Sequence, residues 1–398
     1  MKKLNNISGV KMAAASSNTR YGKRDDSLLI LIDKGNTVSG KFTNNSFKSA
    51  PVILALSHLE KCSGKEVVLM INAGNANAGT GKQGAKDVLA CCKSVSKEMS
   101  IDHESVLPFS TGVIGEYLQT DKYINAFIKA SRELKANNWK QAANSILTTD
   151  TKPKLLSSLI KNGSEEIAVT GFAKGSGMIR PDFATLLSFV FIDAKISKSL
   201  LNDIHENALS ESFNRITVDG DTSPNDSSVL VASGNLKSAV KKGTAIEKKI
   251  RSTVITIYKE LAELLIKDAE GATKKIIVKV MQAKTLKQAE SVAFTVAESP
   301  LVKTAMFGND ANWGRVLSAV GRSPEVNDVS KTSIHLNGVP LAKNGNLHPQ
   351  HSESKASKVI QKKNLEITIK LGLGKDHCSV ITSDFSEDYL LINSDYRS

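Results

Sequence analysis

The feature that most constrains this chain is the alternation of two hydrophobic periods along it. Three short runs read as strands: SLLILID (27–33), PVILAL (51–56) and EVVLMIN (66–72). Helical spacing takes over between and after them, in AKDVLACCKSVSKEM (85–99) and DKYINAFIKASRELKANNW (121–139). Further strand-like runs follow: EEIAVTGFA (165–173), LSFVFIDA (187–194), KKIIVKV (274–280) and NLEITIKL (364–371). Residues 245–269 form one long amphipathic pattern. Strands alternating with helices predict an α/β or α+β chain. After residue 281 the pattern restarts with the helix KTLKQAESVAFTVAES, so 281–398 is expected to form a lobe of its own.

The 398 residues are 40% hydrophobic but only 5% aromatic, so aliphatic side chains must fill most of the interior. The formal net charge is +13. One source of such charge is a nucleic-acid footprint. Here the basic residues are spread along the chain as short Lys pairs, without interleaved aromatics, so a solvated surface is the expected reading and no nucleic-acid partner is expected. The same field would draw in carboxylate substrates. Cys62, Cys91, Cys92 and Cys378 have no CxxC spacing, which fits a reducing compartment better than a disulfide framework. The first residues lack the apolar core of a secretion signal, and no apolar run is long enough to span a bilayer. The expectation is a cytoplasmic enzyme with no membrane partner.

Glycine-rich segments punctuate the plan: 71–84, 110–118, 172–189, 218–226 and 307–321. Each permits a tight turn or a close approach of backbone to ligand. None completes a familiar nucleotide or metal signature. Gly81-Lys82 is followed by Gln83 and preceded at the required spacing by Ala76, so it is no phosphate-binding loop. DGDTSPND lacks calcium-loop spacing. The seven histidines make no HExxH, and no metal site is expected. There is also no GxSxG elbow. Thr185 remains, in AKGSGMIRPDFATLLSF, at the head of an apolar run. A threonine there is usually structural, because β-branched residues pack well in strands.

Around Thr185 the sequence resembles the processing site of the ArgJ family, an AKGSGMI-x-P-x-x-ATML-type motif. Further segments resemble that family in the same order: NAGNANAGTGKQG, STGVIGEYL, LTTDTKPK, VDGDTSPNDS, EGATK, GNDANWGRVLSAVG and the terminal INSDYRS. The resemblance runs from about residue 8 to the end. It implies an αββα sandwich of the ArgJ/DmpA kind that cuts itself between Ala184 and Thr185. Residues 1–184 would form an α chain. Residues 185–280 would open the β chain and complete the catalytic core, and 281–398 would be its C-terminal lobe. The freed α-amine of Thr185 would serve as base for its own hydroxyl. An unperturbed α-amine has a pKa of roughly 7.7–8.0, so it is partly neutral near working pH.

The resemblance further implies oxyanion donors at Thr111 and Gly112, and substrate contacts at Thr148, Lys174, Thr185, Glu270, Asn393 and Ser398. Lys174 would suit an α-carboxylate and Glu270 the distal ammonium of ornithine. The implied reaction moves acetyl from N-acetylornithine to glutamate through acetyl-Thr185, without a cofactor. The family contains enzymes that also use acetyl-CoA, and no residue here decides that point. The implied assembly is α2β2. Asp182-Phe183 stands where the family usually has Asn-Met, Arg180 stands where the family varies and could pair with Asp182, and Ser398 replaces the common threonine. A self-processing aminopeptidase or amidase would share the nucleophile, but EGATK, GNDANWGR and NSDYRS favour the transferase.

Overall fold

The computed structural model describes residues 4–62, 64–163, 165–180, 186–236 and 239–395. The chain divides into two compact units. The first comprises Met1–Gly175, Pro181–Asn214 and Thr222–Leu265; the second comprises Ser176–Arg180, Arg215–Asp221 and Ile266–Ser398.

The first unit contains the strands β1 (Val10–Ala15), β2 (Ser27–Ile32), β3 (Thr37–Phe42), β4 (Val67–Asn75), β5 (Val106–Val113), β6 (Lys154–Asn162), β7 (Glu165–Lys174), β8 (Leu187–Ile192) and β9 (Ser227–Ala232). They make two sheets, ordered β1-β2-β4-β5 and β3-β9-β8-β7-β6. Alternation along each strand decides which face looks where. Leu28, Ile30, Ile32, Val67, Leu69 and Ile71 point into one core with Phe172, Leu187, Phe189, Phe191 and Val231 of the second sheet. The scarce aromatics gather at this seam: Phe109 meets Phe189 edge-on at 5.2 Å and Trp139 tilts against Phe191 at 5.4 Å. The opposite residues of the first sheet, Leu29, Val68 and Met70, pack under α2 (Gly81–Met99) and α3 (Thr120–Arg132). On the far face of the second sheet, α5 (Lys198–Ser210) packs against β3 and β9, and α6 (Ala245–Lys267) brings Tyr258 to Ser228. The layers are therefore α, β, β, α.

PVILAL is not a strand. It lies in α1 (Ala50–Leu59), with Ser49 as N-cap accepting from the Val52 amide and Pro51 in the first turn. Its buried residues, Pro51, Val52, Ala55 and His58, follow helical spacing, while Ile53 and Leu56 stay exposed. Cap and proline decide the outcome over the apolar run. α4 (Trp139–Ser145) adds Trp139, Ala142 and Ala143 to the inter-sheet core. The glycine-rich segment 71–84 is mostly regular: β4 runs on to Asn75 and α2 begins at Gly81.

The second unit is built on a six-stranded sheet of β10 (Lys275–Ala283), β11 (Ser333–Leu336), β12 (Val339–Lys343), β13 (Asn346–Leu347), β14 (Asn364–Lys370) and β15 (Asp376–Ser383), ordered β13-β12-β11-β14-β10-β15. Its core is aliphatic, with Val278, Val292, Val296, Ile367 and Val380 among its members, and α7 (Leu286–Ala297) lies on β10 and β15. The helices α8 (Pro300–Phe307), α9 (Trp313–Gly321), α10 (Glu353–Ile360) and α11 (Glu387–Ser394) complete it. The main segment of this unit starts at Ile266, and β10 is bonded on both sides within its sheet, to β14 and β15. No helix among the described residues is long and apolar enough to cross a membrane.

Candidate active site

In the first unit the C-terminal ends of β5 and β7 bring three of the expected residues together. Lys174, the last residue of β7, donates from Nζ to Thr148 Oγ1 at 2.8 Å and to Thr111 Oγ1 at 3.2 Å. Across the sheet Lys174 pairs with Leu187, two residues on from Thr185. Leu186 in turn accepts from the Ser227 amide at 2.8 Å. The described chain thus resumes at Leu186 and enters a strand paired with that of Lys174.

Behind Lys174 stands a carboxylate that sequence reasoning passed over. Asp150 has a fully shielded side chain and lies 3.6 Å from Lys174 Nζ. Its Oδ1 accepts from Lys154 Nζ at 2.5 Å and from the Gly175 amide at 2.8 Å; its Oδ2 accepts from the Thr148 amide at 3.2 Å. Lys154 also donates to the Gly175 carbonyl at 3.3 Å. Burial pushes the Asp150 carboxyl up, but the two ammonium groups and the Gly175 amide overcome it and hold the group well below the usual carboxylate range. The signal was present in LTTDTKPK, an acid two residues from Thr148 with a lysine four further on, but nothing in that spacing says that both are buried.

Gly112 has φ +134°, and a Cβ there would lie 2.2 Å from the Gly74 carbonyl carbon and 2.5 Å from the Asn75 nitrogen. Glycine is thus demanded by the backbone of β4, a reason additional to leaving room at a ligand. The surrounding turns are tied by asparagines. Ser110 Oγ donates to Asn72 Oδ1 at 2.5 Å, Asn72 Nδ2 to the Asn75 carbonyl at 2.8 Å, and Asn225 Nδ2 to the Ala76 carbonyl at 2.7 Å. These bonds fix the strand ends that carry Thr111 and Gly112.

The second unit brings together another expected pair. Glu270 is buried, and its Oε2 accepts from Asn393 Nδ2 at 2.9 Å. Its amide donates to the Ser176 carbonyl at 3.0 Å. Gly177 leaves no room beside it: an added Cβ would stand 2.2 Å from Glu270 Oε2. The next residues are held by Asp219, whose carboxylate accepts from the Met178 and Ile179 amides at 2.7 and 2.9 Å. Arg180 bonds Glu298 at 2.8 Å and lies over the Phe294 ring. Asp182, Ala184, Thr185 and Ser398 lie outside the described residues.

Two hydroxyls braced by a buried lysine, beside a glycine at a strand end, form a donor set suited to oxygen that gains negative charge during acyl transfer. The sequence comparisons agree with such a class. A model of the ArgJ family matches residues 11–398, and the chain belongs to that family. It is 41% identical over 394 residues to the arginine biosynthesis bifunctional protein ArgJ of Methylococcus capsulatus, covering 98% of this chain and 96% of the relative. It is 40% identical over 395 residues to the protein of the same name from Psychrobacter arcticus, covering 98% and 97%. Among solved structures, that of the arginine biosynthesis bifunctional protein ArgJ from Bacillus halodurans matches 51% of this chain and 96% of that chain, at 31% identity and a TM-score of 0.48.

Proposed function

We propose that this chain cleaves itself between Ala184 and Thr185 and then works as an acetyltransferase of arginine biosynthesis, passing acetyl from N-acetylornithine to glutamate through Thr185. The observation that carries the proposal is the convergence of Thr111 and Thr148 on Lys174, in a strand whose partner β8 begins at Leu187, two residues past Thr185 in sequence.

In processing, Thr185 Oγ attacks the Ala184 carbonyl carbon. The C–N bond breaks, the nitrogen takes up a proton, and water then opens the ester to leave the Ala184 carboxylate and a free Thr185 amine. In turnover that amine takes the hydroxyl proton while Oγ attacks the acetyl carbonyl of the donor. Ornithine leaves with the proton, acetyl stays on Thr185, and the glutamate amine removes it by the same steps reversed. Every tetrahedral stage carries an oxyanion, for which the Thr111 hydroxyl and the Gly112 amide are the donors; each such donor typically contributes about 3–4 kcal/mol. Thr148 and Lys174 line the acyl site, Glu270 with Asn393 favours the donor's distal ammonium, and Ser398 supplies a terminal hydroxyl. The chemistry needs no cofactor; acetyl-CoA is a second donor, in keeping with the relatives' name as bifunctional. The two fragments stay together as an α2β2 assembly in the cytoplasm.

Denaturing electrophoresis of purified protein tests the first step. Two fragments are expected, 1–184 and 185–398, the second beginning Thr-Leu-Leu-Ser. A chain that stays intact in active preparations overturns the proposal. Assay with N-acetylornithine, with and without glutamate, tests the second. Release of acetate independent of glutamate would mark an amidase instead, and assay with acetyl-CoA in place of N-acetylornithine reports the second donor.

A further inference from the structure

From the burial and bonding of one carboxylate we infer that Asp150 is a positioning residue, which holds the Lys174 ammonium against Thr111 so that the Thr111 hydroxyl points its own proton at the acyl oxygen. The inference rests on the proposed acyl transfer and deepens it. A hydroxyl has one hydrogen to give. Thr111 Oγ1 accepts from Lys174 at 3.2 Å, so its hydrogen is directed elsewhere, and a donor that itself accepts from a cation is polarised into a stronger one. Thr148 Oγ1 is treated in the same way at 2.8 Å. Lys174 therefore works behind the oxyanion donor, a different task from gripping a substrate carboxylate.

Asp150 is built to keep it there. Its carboxylate ties its own segment, through the Thr148 amide and Lys154 at the start of β6, to the Gly175 amide just past β7. It lies between two buried lysines, with Lys154 2% and Lys174 9% exposed at the side chain. Among the described residues, Asp226 feels the charge of Lys174, and Tyr21 that of Asp150. Burial pushes Asp226 well up, toward its neutral form, and Tyr21 is likewise raised by burial, with Arg24 stacked on its ring at 3.6 Å. Asp150 is thus a fully shielded anion 3.6 Å from the Lys174 ammonium, and it supports that charge. Without it the ammonium is disfavoured, and activity that needs the ammonium is lost as pH rises.

Asp150→Asn and the charge-balanced Asp150→Asn/Lys154→Met test this. The second variant removes one cation with the anion and so protects the fold if the first proves unstable. For each, kcat and KM for N-acetylornithine are measured across pH, along with acetyl on the fragment that begins at Thr185. The expected result is a kcat lowered about 10–100-fold, short of the ~10²–10³ for deleting an oxyanion donor outright. KM should stay within about twofold, because no substrate contact is removed. The alkaline limb of kcat should move to lower pH, a change that a merely structural role would not produce. An unshifted limb with wild-type kcat overturns the inference, as does a raised KM with kcat kept, which would return Lys174 to substrate binding. If the wild-type fragment itself takes no acetyl, the underlying acyl-transfer reading fails, and that result is distinct from either variant's.

Discussion

Replacing Gly177 by alanine moves a buried carboxylate without deleting it, and so isolates what Glu270 does. The added Cβ would stand 2.2 Å from Glu270 Oε2, 2.5 Å from Cδ and 2.7 Å from Oε1. Ordinary contact begins near 3.4 Å, so the carboxylate must retreat by about an ångström. Gly177 does not have a positive φ, so alanine costs little in backbone strain. The retreat breaks the 2.9 Å bond from Asn393 to Oε2 and carries the charge off its post. Hydrogen bonds to charged groups contribute about 1.5–3 kcal/mol, a factor of roughly 10–150. If Glu270 serves the distal ammonium of the donor, kcat/KM for N-acetylornithine should fall by that factor. The acceptor constant for glutamate, which has no such ammonium, should change less than about threefold. Glu270→Gln should repeat the pattern, and Gly177→Ala/Glu270→Gln should add little to either, because both changes disable one group. Steady-state kinetics with each substrate varied in turn provides the measurement. Wild-type use of donor by a folded Gly177→Ala variant, or losses that add in the double variant, would refute the assignment.

Three further outcomes are expected. Thr185→Ala should leave an uncut, folded chain without transferase activity, whereas Thr185→Ser should keep some of both reactions; electrophoresis and the standard assay decide. Gly112→Ala should lower kcat about 10²–10³-fold, because its Cβ meets the β4 backbone and displaces a donor; retained kcat would show that the strand end is not part of the site. Lys303 is fully buried, donates to Thr382 Oγ1 at 2.8 Å, and burial lowers its pKa to about 7. The unfolded chain keeps that proton to about pH 10.4 while the folded one releases it near 7, so stability of the second unit should rise with pH between them, by at most about 1.4 kcal/mol per unit. Hydrogen exchange of β15 amides should slow accordingly beyond its intrinsic pH dependence, and Lys303→Met should remove the trend; a trend of opposite sign would contradict the assignment.

What the sequence made legible followed from period and motif. EVVLMIN, EEIAVTGFA and LSFVFIDA are strands because their alternating residues are buried on both faces, and the helix expected at 245–269 runs from Ala245 to Lys267. PVILAL misled because an apolar run of six carries no period of its own, and the deciding residues, Ser49 and Pro51, act at its start. The strands at Lys154–Asn162 and Ser227–Ala232 were passed over because serines interrupt the first and open the second. Buried serines in β9 are paired instead, with Ser228 bonded to Ser188 and His205. At the site, motif order named Thr111, Thr148 and Lys174, and the fold brings them together. Asp150 stayed hidden because its importance lies in burial between Lys154, four residues on, and Lys174, a strand away, and no local pattern records that burial.

The central claim is that acetyl passes through Thr185. Brief exposure of the cleaved enzyme to labelled N-acetylornithine, without glutamate, should leave one acetyl group on the fragment beginning Thr-Leu-Leu-Ser, located by mass spectrometry at its first residue. Glutamate added afterwards should remove the label as N-acetylglutamate, and initial rates should give parallel double-reciprocal lines. An unlabelled fragment together with intersecting lines would show direct transfer between two bound substrates and contradict the account.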